Sequence, residues 1–447
     1  MFQRVPKTVW YAVIAALILR LIGLIWVHVS GNSDRLLYGD GIGYLELARN
    51  LVQGHGFALW REGRWIIETF RTPGLPLLLI PFTFIPNGLS VYQFVLAIGS
   101  SFLLPWLGYE AGNRLFGERT GKIAAWLLAV EPLMVFFSWL ALTEIPFLIL
   151  GLSAIILAYD ARAYRRADYA LFSGVCAAAA VYVRPGNYFL MLLGYGMLIV
   201  ADIWKRRYGW RLPVISLLLM IALLIPWMGR MYAETGSFSL SATGWRNVYT
   251  DYLASIRAVE HGTTFWDEKE KLKLDANFQF GLSRYELNNP ANGAVLRDYA
   301  LKEIVQRPVT VIKLQSLIFV SFFTNDSYSS YLMRFGFLSQ ITGRISPTYV
   351  ILTEGVSGIG KIAYEMQRQW FVPVWGRVLT LGLLFTAIAG AWKYRRKPVV
   401  WWCIVLIAWT ALASSAIGLG VEARLRISIM PLIFFLAGAA FERKQRL

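Results

Sequence analysis

The residues of this sequence that could do chemistry stand at the edges of long apolar runs, where an unmatched charge is costly and marks a site by default. Asp40 lies in LLYGDGIGYLELARNL with glycine on both sides. Glycine allows a tight turn, so the carboxylate can point inward. The alternative is an N-cap for the helix that follows, and the two roles are compatible. In that helix Tyr44, Leu47, Ala48 and Leu51 share one face at helical spacing. Glu68 and Arg71 come next, in ETFRTPGLPLLL. Arg71 can snorkel to lipid headgroups or fork onto a phosphate. Glu131 and Glu144 flank the apolar stretch EPLMVFFSWLALTEIPF, where each needs a partner, a buried arginine being the structural option.

Three further groups complete the set. Arg184 begins a short turn in VYVRPGNY. Arg230, Asn247 and Tyr249 belong to an aromatic-rich stretch, IPWMGRMYAETGSFSLSATGWRNVYTDY. Tyr, Trp and Asn at a membrane mouth suit sugar stacking, and equally an interfacial belt. Glu422, Arg424 and Arg426 fall in GVEARLRISIMP. His28, His55 and His261 lack metal-ligand spacing, and no HExxH, Walker loop or GxSxG elbow occurs, so a nucleotide is not the expected energy source.

The elements that position these residues are membrane helices. Of 447 residues, 57% are hydrophobic and only 16% charged, and the mean hydropathy is +0.50. Soluble domains carry about 25% charged residues. The apolar residues gather in runs of about 15 to 22, enough to cross about 30 Å of hydrocarbon. The first, from Thr8, is too long for a signal peptide and lacks a small-residue cleavage site. Cys176 and Cys403 lie inside apolar runs and imply neither a disulfide framework nor a metal set.

The net charge of +17 invites a nucleic-acid reading, but the basic residues are dispersed in short clusters between apolar runs. That is the positive-inside pattern, and no nucleic-acid partner is expected. The clusters are Arg4/Lys7, Arg114/Arg119/Lys122, Arg162/Arg165/Arg166, Lys205/Arg206/Arg207/Arg211, Lys393/Arg395/Arg396/Lys397 and Arg443/Lys444/Arg446. Placing them all on the cytoplasmic side predicts an all-α integral membrane protein of about ten to twelve helices, both termini cytoplasmic. Residues 73–86 are short and carry four prolines, so they are expected to lie flat in the outer leaflet. Residues 30–88 and 230–308 then form two large extracytoplasmic loops. Residues 309–374 contribute two crossings or none. The organisation predicted is an N-terminal transmembrane module, 1–229, whose loop 30–88 holds juxtamembrane helices; the second loop, 230–308; and a C-terminal transmembrane module, 309–447.

In order and placement, these motifs resemble the GT-C membrane glycosyltransferases. Nearest are the protein O-mannosyltransferases, the lipid A aminoarabinose transferase and lipopolysaccharide-core sugar transferases. The resemblance runs through GDGIGYLELARNLVQGHGF, RTPGLPLLL, GNRLFGERTGKIAAWLLAVEPL, LTEIPF, VRPGNYFL, IPWMGRMYAETGSFSLSATGWRNVY and EARLRISIMPLIFFLAG. Asp40 matches the family's first-loop acidic residue, although Gly41 stands where an acidic pair is usual.

The resemblance implies a GT-C fold and inverting transfer of a sugar from a polyprenyl-phosphate (dolichyl or undecaprenyl) carrier. The acceptor would be a hydroxyl or phosphate of lipid A, a cell-envelope glycan or a protein, outside the inner (plasma) membrane. It casts Asp40 as base, Glu144 as an orienter of the base or the acceptor, and Arg71, Arg424 and Arg426 at the donor phosphate. Tyr44, Glu68, Arg184, Arg230, Asn247 and Tyr249 are expected around the substrates. No cofactor is implied, and a divalent metal stays open, without an evident ligand set. The competing class is a transporter or flippase for a lipid-linked sugar, which would want charges at mid-membrane and paired broken helices.

Overall fold

A computed structural model describes residues 5–338, 357, 360 and 371–443, apart from 38, 62, 206, 207 and 421. The basic residues Arg4, Arg206, Arg207, Lys444 and Arg446, and most of the span 339–370 on which the choice of two crossings or none depends, lie outside the described residues.

The chain is a multi-pass membrane protein, and among the described residues its regular structure is helical apart from one hairpin. Among the described residues eight helices are long and apolar enough to cross a bilayer. A bent pair, Pro308–Thr324 and Tyr328–Arg334, makes nine if counted as one span. The sequence expectation of about ten to twelve also included 120–138 and 170–183. The first is broken at Glu131 into Glu118–Val130 and Pro132–Phe137. The second, Ala167–Val183, has 17 residues, about 26 Å at about 1.5 Å per residue, slightly under the hydrocarbon thickness.

The chain divides into two compact units, Met1–Pro226 with Gly382–Ile407 and Ile427–Leu447, and Trp227–Leu381 with Ala408–Arg426. The C-terminal module expected at 309–447 is therefore shared between both.

In the first unit we number α1 (Lys7–Val29), α2 (Asp40–Val52), α3 (Gly74–Thr83), α4 (Gly88–Leu115), α5 (Glu118–Val130), α6 (Pro132–Phe137), α7 (Glu144–Tyr164), α8 (Ala167–Val183) and α9 (Tyr188–Trp204). The unit holds one hairpin, which the sequence reading did not anticipate. β1 (Ala58–Arg61) pairs antiparallel with β2 (Arg64–Ile67), Trp60 opposite Trp65, and Gly63 takes positive φ in the turn. Arg61 forks onto Glu46 and the Asn50 amide donates to the Ala58 carbonyl at 2.7 Å, which docks the hairpin on α2.

The break at Glu131 exposes helix-end carbonyls inside a membrane protein, where no water can satisfy them. Arg20, fully buried on α1, does so. Its guanidinium donates to Ala129 O at 2.8 Å and Leu128 O at 3.0 Å. Glu131 caps the next helix, accepting from Met134 N at 2.9 Å. The partner shown for Glu131 is thus a backbone N–H, where the sequence reading offered a buried arginine.

In the second unit Arg426 plays a similar part. It is 2% exposed and donates to Phe322 O, Phe323 O and Asn325 O at 2.7, 2.7 and 3.0 Å, closing the end of Pro308–Thr324 where the pair bends by 66°. The second loop contributes Leu253–His261, Phe265–Phe280 and Gly293–Val305 to this unit, around an aromatic cluster of Tyr249, Phe280 and Tyr299.

Candidate active site

Asp40 is the first residue of α2, and Gly39, at φ +46°, is its N-cap. The expected N-cap aspartate is therefore corrected by one position: Asp40 stands in the first turn, where a negative charge meets the positive end of the helix dipole. Gly41 faces the Ala141 carbonyl at a spacing that leaves little room for a side chain, with an added methyl only 3.1 Å from that oxygen. The start of α2 is thereby seated on the Ser138–Thr143 turn, leaving the Asp40 side chain 37% exposed.

The strands and the turn after β2 carry Glu68 and Arg71 to the same place. Glu68 is buried, tied by its own backbone N–H to Phe57 O, and its Oε1 accepts from the N–H groups of Phe70 and Arg71 at 2.7 and 3.1 Å. Its other oxygen takes Arg71 Nη1 at 2.8 Å. Arg71 Nη2 then reaches Asp40 Oδ1 at 3.4 Å, a long charge-assisted contact. The guanidinium lies 5.5 Å from the centroid of the Tyr44 ring and passes across Gly43, where an added methyl would come within 2.7 Å of it. Burial alone would lower the Arg71 pKa, but Glu68, Asp40 and Tyr44 outweigh it, so the group is held above its ordinary value and stays charged.

Of the face expected on α2, Tyr44, Leu47 and Ala48 are buried and Leu51 is half-buried. Of the expected residues, the structure thus brings together Asp40, Tyr44, Glu68 and Arg71. A second pair lies on neighbouring elements of the same unit. Glu144, 1% exposed at the start of α7, meets Arg184 Nη1 at 2.5 Å, and Thr143 Oγ1 accepts from the same nitrogen at 3.2 Å. Gly74, at the start of α3, is pressed against Tyr182 and Val183, the residues just before Arg184, leaving no room for a side chain. The Asp40 and Glu144 groups therefore rest on the same end of α7 and α8.

The other expected residues belong to the second unit. Arg230 stacks on Trp227 at 4.8 Å, and Asn247 accepts from Arg246 at 3.1 Å. Arg424 is half-buried in the short helix Ala423–Arg426. Two expectations are corrected. Tyr249 is fully buried, with its hydroxyl donating to Leu272 O at 3.1 Å, so it is a core residue rather than a substrate contact. Arg426 has both amino nitrogens on backbone carbonyls, so its fork does not serve a phosphate.

Residues 72–229 match the family model described as dolichyl-phosphate-mannose-protein mannosyltransferase. The fold is similar to that of the oligosaccharyltransferase AglB from Archaeoglobus fulgidus. The form solved with an inhibitory peptide and a dolichol-phosphate is 13% identical, with a TM-score of 0.50 over 97% of this chain and 49% of that one. The apo form is 14% identical, with a TM-score of 0.51 over 96% and 50%. The family match covers well under half of the chain. The chain spans about half the length of the oligosaccharyltransferase structures it resembles. No curated protein sequence matches it.

Asp40 and Glu68 share one guanidinium between them, and among the described residues no group of three or more His, Cys, Asp or Glu side chains converges. One structural residue had a signal in the sequence that went unused: Arg20 is a single arginine inside an apolar run, the kind of residue that needs a partner.

Proposed function

We propose that this chain is an inverting glycosyltransferase that moves a sugar from a polyprenyl-phosphate carrier to an acceptor hydroxyl on the extracytoplasmic face of the plasma membrane. The observation that carries the reading is a carboxylate that is both reachable and oriented. Asp40 is 37% exposed, yet Arg71 touches it, and Arg71 is itself held by buried Glu68. Asp40 takes the acceptor proton as that oxygen attacks the anomeric carbon. The bond from that carbon to the leaving phosphate breaks on the opposite face, and its electron pair departs on the phosphate.

Arg71, expected at the donor phosphate, instead orients the base through one amino group, and the developing negative charge of the leaving phosphate needs a cation besides it. Glu144, paired with Arg184, positions the floor on which α2 rests. The donor class is supported by the family model, named for dolichyl-phosphate-mannose, and by a structural neighbour solved with dolichol-phosphate. Lipid A, an envelope glycan or a protein each offers a suitable acceptor hydroxyl.

The test is turnover of purified protein with polyprenyl-linked sugar. Asp40→Asn keeps the side-chain shape but cannot accept the proton, so the rate should fall by about 10² to 10⁴ with the melting temperature unchanged. Near-normal turnover would remove Asp40 from the mechanism. Movement of the lipid-linked sugar across the bilayer, without any new glycoside, would favour the flippase.

A further inference from the structure

The first unit carries an open-sided cavity of about 1070 Å³ that the proposed chemistry does not use. Its walls are apolar side chains of α7 and α9, with the helices Pro398–Ser414 and Met430–Phe441. Small residues open it. An added methyl would meet nothing within 4 Å at Gly196, and only Trp402, at 3.8 Å, at Gly194. Along α9 the lining runs from Leu190 to Lys205, about 22 Å at about 1.5 Å per residue. That is longer than the half-thickness of a bilayer, about 15 Å.

One end of this cavity is basic. Arg162, Lys205 and Arg396 line it, beside Trp204 and Trp401, which are 86% and 56% exposed. Exposed tryptophans at a helix end mark the membrane–water interface. Arg162 is neutralised by Asp202, whose oxygens lie at 2.5 and 2.8 Å. Lys205 and Arg396 are exposed and have no carboxylate partner among the described residues. A mostly apolar chamber thus ends in two cations that have no carboxylate partner among the described residues.

We infer that this cavity is a binding site for one anionic two-chain phospholipid, its acyl chains in the chamber and its phosphate on Lys205 and Arg396. Charge complementarity selects the anionic headgroup, since basic pockets between membrane helices recognise such headgroups. The phosphate held there is not that of the sugar donor. Arg162 is near the far end of α7 from Glu144, about 27 Å away at about 1.5 Å per residue, and Glu144 marks the end on which Asp40 rests. The inference stands whether or not the proposed transfer reaction is correct.

Native mass spectrometry of the purified chain tests it, with phosphatidylglycerol, phosphatidylcholine and a short polyprenyl phosphate as probes. One phosphatidylglycerol per chain should be retained at energies that strip phosphatidylcholine. Lys205→Ala with Arg396→Ala should weaken that retention by about thirtyfold, since each basic residue contributes about 1 kcal/mol toward an anionic lipid. Both positions are exposed, so the fold should survive, and an unchanged melting temperature would check this. Gly196→Trp should obstruct the chamber and weaken retention of both phospholipids. Equal retention of the two phospholipids, indifferent to the double substitution, would overturn the inference. So would complete displacement of phosphatidylglycerol by the polyprenyl phosphate, which would give the chamber to the donor.

Discussion

Arg71 sits between two carboxylates, 2.8 Å from Glu68 and 3.4 Å from Asp40. The shorter contact is the anchor and the longer one the adjustable arm. Gly43→Ala should press a methyl against the guanidinium, 2.7 Å away if nothing moves, and shift the arm without removing any charge. Arginine is flexible at its far end, so the fold should hold while kcat falls by about tenfold or more, because small misplacements at a reacting centre are costly. Arg71→Lys should behave similarly, since an ammonium cannot fork onto both carboxylates. Steady-state kinetics on both variants checks this. A wild-type kcat in both would reduce Arg71 to a structural ion.

The Glu144–Arg184 pair makes a different prediction because Glu144 is almost fully buried. Removing Arg184 as Arg184→Met strands a buried charge and should cost about 3–5 kcal/mol. The double variant Glu144→Gln with Arg184→Met removes both charges and should recover much of that loss. Chemical unfolding in detergent, read for the two single variants and the double, gives the coupling directly. Additive losses would mean that the pair is not a unit. Recovered stability with lost turnover would show that Glu144 also serves the reaction.

Much of the architecture was legible because membrane helices announce themselves by length and apolarity. Asp40, Glu68 and Arg71 stood out too, since each is a polar residue in a setting that penalises it, but their mutual contacts, Arg71 on both carboxylates, could not be read from spacing. The hairpin Ala58–Arg61 with Arg64–Ile67 was not, because four-residue strands give little periodicity. Tyr249 and Arg426 were misread for a shared reason. An aromatic or an arginine near a membrane mouth has the same local sequence whether it faces substrate or plugs a core. Only tertiary contacts separate the two, here Leu272 O for Tyr249 and three carbonyls for Arg426.

Arg20 is the matching case in the first unit, and it predicts a stability defect without any direct part in chemistry. Arg20→Leu should leave the carbonyls of Leu128 and Ala129 without donors inside the protein. Each unsatisfied buried group costs about 1–3 kcal/mol, so a loss on the order of 3 kcal/mol is expected. The yield of monodisperse protein on size exclusion should fall sharply, with residual folded material still binding donor. Normal yield and stability would show that the break after α5 is satisfied in another way.

Topology gives the last prediction. Helix α3 has 10 residues, about 15 Å at about 1.5 Å per residue, half of what a crossing needs. Pro81 lies inside it, and it ends at Thr83. With α3 not crossing, the basic residues Arg114, Arg119 and Lys122 fall on the cytoplasmic side and residues 30–88 on the outer side, as helix parity requires. A single labelled cysteine can decide it, but the position matters. Gly88 is unsuitable, because any side chain there would strike the Phe82 carbonyl, 1.7 Å from an added methyl. Pro86 is exposed in the turn between α3 and α4 and tolerates the change. Native Cys403 is buried and Cys176 half-buried, so both would be replaced by alanine to clear the background. Pro86→Cys should react with a membrane-impermeant maleimide added outside intact cells, as should a cysteine at exposed Phe278 in the second loop. Labelling of Pro86→Cys only after the cytoplasmic face is opened would mean that α3 crosses with its neighbours, and would move Asp40 away from any donor sugar displayed outside.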